Sequence, residues 1–174
     1  MNIRYEAAVL VPVYRGEDNE LRMVFIRRSE GGPHGGQIAF PGGKHNQQDR
    51  SMLDTALRET REEIGIVTDS IEVLDKLPVV QTLTTGFRIT PYLARIIPSK
   101  HWCIEEREVV EVLEVLVRDF AMPETHGEAV EQFSNCTTPQ HISFYWLGLH
   151  RVWGATYRIL KPIVPRLLAN EWTI

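Results

Sequence analysis

Three glutamates, Glu59, Glu62 and Glu63, stand in the run Arg58-Glu59-Thr60-Arg61-Glu62-Glu63-Ile64, with Gly65 directly behind it. Read as a helix, they occupy positions i, i+3 and i+4, so their carboxylates share one stripe. Like charges at that spacing repel by roughly 0.2–0.5 kcal/mol per exposed pair. A divalent cation reverses the balance, because hard ions such as Mg²⁺ take their ligands from carboxylate and phosphate oxygens. On spacing alone, the solvated face of a surface helix is the commoner origin of such a stripe.

What precedes the acids decides how to weigh them. Residues 29–44 contain six glycines and two prolines, too many for regular structure. A loop of that length inside a compact domain is usually functional. Asp49 and Ser51 are candidate N-caps for a helix that runs to Ile64, with Gly65 as its C-terminal stop. Its apolar stripe is Met52, Leu53, Ala56, Leu57, Thr60 and Ile64, beside the acidic stripe.

Upstream, residues 7–13 and 21–26 read as a strand pair closed by turn chemistry at Arg15-Gly16-Glu17-Asp18-Asn19. Downstream, residues 71–77, 86–97, 108–117 and 141–147 read as strands. Residues 118–139 read as a polar loop, and residues 154–168 as a helix that Pro162 and Pro165 would kink. Trp146 and Trp153 read as core aromatics. Strands mixed with two helices indicate one α/β or α+β domain.

Composition sets limits on function. The chain has 174 residues, 43% of them hydrophobic and 24% charged, which is globular rather than disordered. A net charge of −4 argues against generic binding to nucleic acid or acidic membranes, so an anionic ligand would need a metal or a local basic cluster. Two cysteines, Cys103 and Cys136, are too few for a disulfide scaffold and lack zinc-ligand spacing. No N-terminal apolar leader and no run of about 18 apolar residues is present, so a cytoplasmic location is expected.

The segment from Gly42-Gly43 to Arg58-Glu59-Thr60-Arg61-Glu62-Glu63-Ile64-Gly65-Ile66 resembles the Nudix box, a glycine followed after a spacer by Arg-Glu-apolar-x-Glu-Glu-x-Gly-apolar. The spacer here is one residue longer than the commonest form, Asp49 stands for its early acid, and Thr60 replaces an apolar residue. Further segments resemble the coenzyme A pyrophosphatase branch. They are Arg28-Ser29, Gly36-Gln37-Ile38-Ala39-Phe40-Pro41-Gly42-Gly43, Thr85-Gly86-Phe87-Arg88-Ile89-Thr90-Pro91 and Val152-Trp153-Gly154-Ala155-Thr156. Between Ser29 and His34 that branch carries a longer segment containing Leu-Arg, whereas this chain has Glu30-Gly31-Gly32-Pro33.

The resemblance implies a Nudix-type α/β/α sandwich with a mixed central sheet, a single domain over residues 1–174. It implies Mg²⁺- or Mn²⁺-dependent hydrolysis of a pyrophosphate in a nucleoside diphosphate linked to X. Coenzyme A or a derivative is the first candidate, ahead of ADP-ribose, nucleoside diphosphate sugars or nucleoside triphosphates. Glu59, Glu62 and Glu63 would be metal ligands with the Gly43 carbonyl, and Arg58 would orient the carboxylates. The general base would be Glu59, or an acid from a distant segment, Glu108 or Glu111, with Glu128 and Glu131 behind them. Arg28, Gly36, Gln37, Gly42 and Gly43 would meet substrate. The expected partner is a small nucleotide-type molecule, with no nucleic acid and no membrane, and a homodimer by analogy. A Nudix-like binding module without turnover is the rival class, and the presence of all three box acids counts against it.

Overall fold

The computed structural model describes residues 5–31, 34–82, 85–133 and 136–174. Its strands are β1 (Tyr5–Arg15), β2 (Leu21–Arg28), β3 (Ile38–Ala39), β4 (Gly42–Lys44), β5 (Ile71–Lys76), β6 (Val80–Gln81), β7 (Phe87–Ile96) and β8 (Val109–Leu116) in one mixed sheet. A three-stranded sheet follows, formed by β9 (His126–Glu131), β10 (Gln140–Leu147) and β11 (His150–Val152). The helices are α1 (Met52–Ile64) and α2 (Gly154–Leu168). Among the described residues no helix is long and apolar enough to cross a membrane.

Alternation along β1 explains the layering. Ala8 and Leu10 point to one face, where Ala56 of α1 closes over them with Leu53 and Leu57 packed alongside. Val11 and Val13 point to the other, against Leu160, Ile163 and Leu167 of α2. Each fully buried side chain of this size contributes about 1.5–3 kcal/mol. The result is the expected α/β/α arrangement.

The pairing of β1 creates the feature that matters for the site. Its far end pairs with β2, Val13 opposite Met23, as the sequence pattern suggests. Its near end pairs instead with β4, Ala8 opposite Gly43 and Val9 opposite Gly42. Meanwhile β2 turns to β3, with Ile26 opposite Ala39. Residues 38–44 are therefore wedged into a fork between β1 and β2. The glycine-rich loop read from sequence thus contains two short strands, formed by pairing rather than by propensity.

Three other expectations are adjusted. Ser51 alone caps α1, its hydroxyl accepting from the Asp54 N–H at 3.0 Å, and Asp49 is used elsewhere. Residues 118–139 contain β9, whose residues alternate between exposed and half-buried but carry little apolar signal. It forms by pairing with β10. Helix α2 runs through Pro162 and Pro165, because Ile159, Leu160, Ile163, Val164 and Leu167 on one side are buried and hold it against the sheet. Thr60 is fully buried in α1 and satisfies its hydroxyl on the Ala56 carbonyl at 2.7 Å, which is how a polar residue occupies an apolar position.

Candidate active site

The acidic face of α1 meets the fork at β4. A Cβ added to Gly43 would lie 2.4 Å from the carboxyl carbon of Glu59, so the absent side chain is what lets that carboxyl rest against the main chain. One residue earlier, the Gly42 N–H donates to Glu63 Oε2 at 2.8 Å. Carboxylate oxygens of Glu59, Glu63 and Glu108 lie within 4.8 Å of one another. Glu63 is buried, Glu59 half-buried and Glu108 exposed.

Glu108 comes from a distant stretch that backbone bonds hold in place. The Glu105 N–H donates to the Glu63 carbonyl at 3.1 Å, and the Ser29 N–H donates to the Glu108 carbonyl at 2.9 Å. The Ser29 hydroxyl adds a bond to the Arg107 carbonyl at 2.6 Å. The approach to β8 is thereby tied both to the end of α1 and to the end of β2.

Burial dominates the electrostatics. It pushes the Glu63 carboxyl up to about 8, against the Gly42 N–H and Arg28, whose Nη1 lies 3.5 Å from Glu63 Oε1. Glu59 is also raised, because burial outweighs the attraction of Arg58. Arg58 acts as a strut. Its Nε and Nη2 donate to the two oxygens of Asp49 at 2.8 and 3.0 Å. Its Nη1 lies 2.8 Å from Glu59 Oε1 and 2.9 Å from Glu62 Oε2. The Asp49 carboxyl is held well below its ordinary range by that guanidinium. Three converging carboxylates, all-oxygen donors with unbalanced buried charge, fit a hard divalent cation.

The other residues singled out from sequence divide into two groups. Arg28, Gln37, Gly42 and Gly43 line a cavity of about 340 Å³ on the opposite side of β4. Gly36 does not line it; its φ of +70° makes a turn whose N–H donates to the Arg28 carbonyl at 3.0 Å. Glu62 stays on Arg58, its side chain 52% exposed and apart from the tight trio. Glu111 is drawn away from the trio by Arg27, directly across the β2–β8 ladder, with Arg27 Nε 2.5 Å from Glu111 Oε1. Glu131 pairs with Arg151 at 2.5 Å in the smaller sheet. Of the segment Glu30-Gly31-Gly32-Pro33, residues Gly32 and Pro33 lie outside the described residues.

The cavity contains features the sequence reading missed. Ala7, Val9, Phe87 and Ile89 form its floor, and Phe133 and Trp153, stacked with ring centroids 5.5 Å apart, border it. Trp153 is thus a cavity wall rather than a core residue, and Trp146 is 41% exposed. Among the described residues no aspartate or glutamate lines the cavity, although Arg28, Lys44 and Arg158 do. The segment Val152-Trp153-Gly154-Ala155-Thr156 carried a signal in the family resemblance, but nothing in one sequence says that it folds over β4.

The family model described as NUDIX domain matches residues 4–155. The chain belongs to the Nudix hydrolase family. A curated relative, the uncharacterized Nudix hydrolase NudL of Salmonella paratyphi B, is 34% identical over 163 residues, covering 91% of this chain and 80% of the relative. Among solved structures, a MutT/Nudix family protein from Enterococcus faecalis superposes with a TM-score of 0.61 at 19% identity, over 98% of this chain and 63% of that one. The NUDIX domain of Shewanella oneidensis NrtR, solved with ADP ribose, gives 0.53 at 19% identity over 71% and 80%. This Nudix hydrolase is accordingly a pyrophosphohydrolase of nucleoside diphosphate derivatives, with the mixed sheet and two helices of that fold.

Proposed function

We propose that this Nudix hydrolase cleaves the pyrophosphate of coenzyme A or a derivative, with Mg²⁺ or Mn²⁺ held by Glu59, Glu62 and Glu63 and the Gly43 carbonyl. The observation that carries the reading is the convergence of Glu59 and Glu63, with Glu108 beside them, on one side of β4, Glu62 being tied to Glu59 through Arg58, while the cavity on the other side is lined among the described residues by cations and no acid. When bound, the cation supplies positive charge for the pyrophosphate oxygens and lowers the pKa of water. Arg58, braced by Asp49, keeps Glu59 and Glu62 in orientation, as outer partners of metal ligands do. Arg28 reaches from the cavity side toward Glu63, where it meets the substrate's phosphates. Glu108, the exposed member of the trio, accepts the proton as water adds to one phosphorus and the bridging P–O bond breaks. The products are a phosphopantetheine fragment and adenosine 3′,5′-bisphosphate. The segments similar to the coenzyme A pyrophosphatase branch favour this substrate. The likeness to a Nudix domain solved with ADP ribose favours ADP-ribose as the second reading.

A Mg²⁺-dependent hydrolysis panel of coenzyme A, ADP-ribose, UDP-glucose and dNTPs, with the nucleoside monophosphate or bisphosphate products resolved by chromatography, tests it. Coenzyme A is expected to give the highest kcat/KM. A higher value for ADP-ribose moves the assignment to the second reading, and no turnover of any pyrophosphate moves it to a binding module. Glu108→Gln is expected to lower kcat roughly 100- to 10,000-fold, the worth of a positioned base, while Mg²⁺ still raises Tm. Wild-type kcat in that variant would remove Glu108 from the mechanism.

A further inference from the structure

We propose that Lys44 is a substrate-binding residue whose ammonium takes an oxygen of the pyrophosphate, a role that rests on the metal site read above.

The register of β4 puts the acids and the Lys44 side chain on opposite faces of one strand. Ala8 faces α1 and lies opposite Gly43, where an added Cβ would meet the Glu59 carboxyl. The next pair along, Ala7 and Lys44, therefore faces the other way, and both residues line the cavity. The main chain of Lys44 stays with the acids. Its carbonyl accepts from Arg58 Nη2 at 3.4 Å, while Arg58 Nη1 lies 2.8 Å from Glu59 Oε1. Lys44 thus joins the two halves of the site, with its backbone at the acids and its ammonium on the cavity face. A pyrophosphate held at Glu59 and linked to a group in the cavity passes beside it.

No carboxylate claims that ammonium. Among the described residues Lys44 Nζ rests only over the ring of Tyr5, its diagonal neighbour on β1, 4.1 Å from the centroid. Tyr5 in turn leans on Phe87 at the cavity edge, with ring centroids 5.1 Å apart. Lys44 and Tyr5 are both exposed, and an exposed cation–π contact is weaker than a charge-assisted hydrogen bond to phosphate. The ammonium therefore leaves the ring for a phosphate oxygen at little cost. The arginines that line the cavity are placed differently. Arg28 Nη1 lies 3.5 Å from Glu63 Oε1, and Arg158 Nη1 donates to the Gln81 carbonyl in β6, three strands away from β4. The segment Glu30-Gly31-Gly32-Pro33 brings no cation of its own. In a protein of net charge −4, an uncommitted lysine between the acids and the cavity is a binding group for an anion.

Calorimetry with Mg²⁺ and α,β-methylene-ADP, a diphosphate that resists cleavage, tests the role without turnover. Lys44→Met should weaken binding about tenfold, the scale of one charge-assisted contact, and Lys44→Arg should restore most of it. The deficit should shrink at high salt, which a packing defect would not do. Because Lys44 is exposed, Tm should stay within a few degrees of wild type. For the best substrate of the panel, KM should rise by about the same tenfold with kcat little changed, as for a contact equally strong in ground and transition states. Unchanged affinity and KM in Lys44→Met overturn the proposal, as does a loss that arginine does not restore and salt does not reduce. Wild-type protein that neither binds the analogue nor cleaves any pyrophosphate removes the metal-site reading and the role of Lys44 with it. Lys44-dependent binding without coenzyme A cleavage removes only the substrate assignment.

Discussion

Glu63→Gln is expected to make the metal-free protein more stable at pH 8 than wild type, to cut turnover steeply and to abolish the stabilisation that Mg²⁺ confers. Glu63 is 1% exposed and its carboxyl is pushed up to about 8 by burial. In the unfolded chain it titrates near 4.5. Between those values the folded protein holds a proton that the unfolded chain has lost, so stability falls as pH rises through that window. The loss is on the order of a few kcal/mol. The depressed Asp49 carboxyl acts oppositely, stabilising above its unfolded pKa and losing that contribution only in more acidic solution. The raised Glu59 acts in the same direction as Glu63, so the difference between the wild-type and Glu63→Gln profiles isolates Glu63. Glutamine carries no such proton and should flatten the profile. With a cation held by the ionised carboxylates, Mg²⁺ should raise the wild-type Tm more at pH 8 than at pH 5.5, and leave the variant unmoved. Turnover should fall roughly 100- to 1,000-fold, as when one preorganised charge contact is lost. A metal-free wild-type Tm that stays level or rises over this range would mean that Glu63 is already ionised and paired without metal.

The parts of this site that the sequence makes legible are those with local periodicity. Glu59, Glu62 and Glu63 share a helical face because 3.6 residues make a turn, and Ser51 and Gly65 mark the ends of that helix by their own chemistry. The apolar runs of β1 and β2 are legible for the same reason. Glu108 and Glu111 were indistinguishable in a strand of alternating acids. The separation comes from Arg27, whose position across the ladder claims Glu111, and from the Ser29 bond that fixes Glu108. Neither register can be read from one strand alone. The cavity was hidden more completely. Its walls come from β1, β4, β7, Phe133, Gln140, Ile142 and α2, and only the fork that admits residues 38–44 brings them together. Glycines that read as loop chemistry turn out to form the partition between acids and cavity.

That partition yields the second large effect, because its two neighbouring glycines should fail in different ways. Gly42 has φ of +147°, and an added Cβ would lie 2.3 Å from the Ala8 carbonyl oxygen and 2.5 Å from Val9 Cα. Both are backbone atoms of the central strand and have nowhere to go. Gly42→Ala is expected to cost on the order of 3 kcal/mol or more, combining a strained dihedral with an overpacked core. In a chain of this length that lowers Tm by roughly 10 °C. At Gly43 the nearest atoms to an added Cβ belong to the Glu59 carboxyl, the free end of a flexible side chain. Gly43→Ala should therefore fold with a Tm within a few degrees of wild type while pushing that carboxyl off the main chain. Displacing a reacting group's support by about 1 Å can cost about 100-fold in rate, and a kcat reduced by that scale is expected here. Thermal melts and steady-state kinetics on the two purified variants measure both effects. Wild-type kcat in Gly43→Ala would mean that Glu59 does not work from its seat against β4, and the acid trio would lose its anchor to the substrate side of the strand.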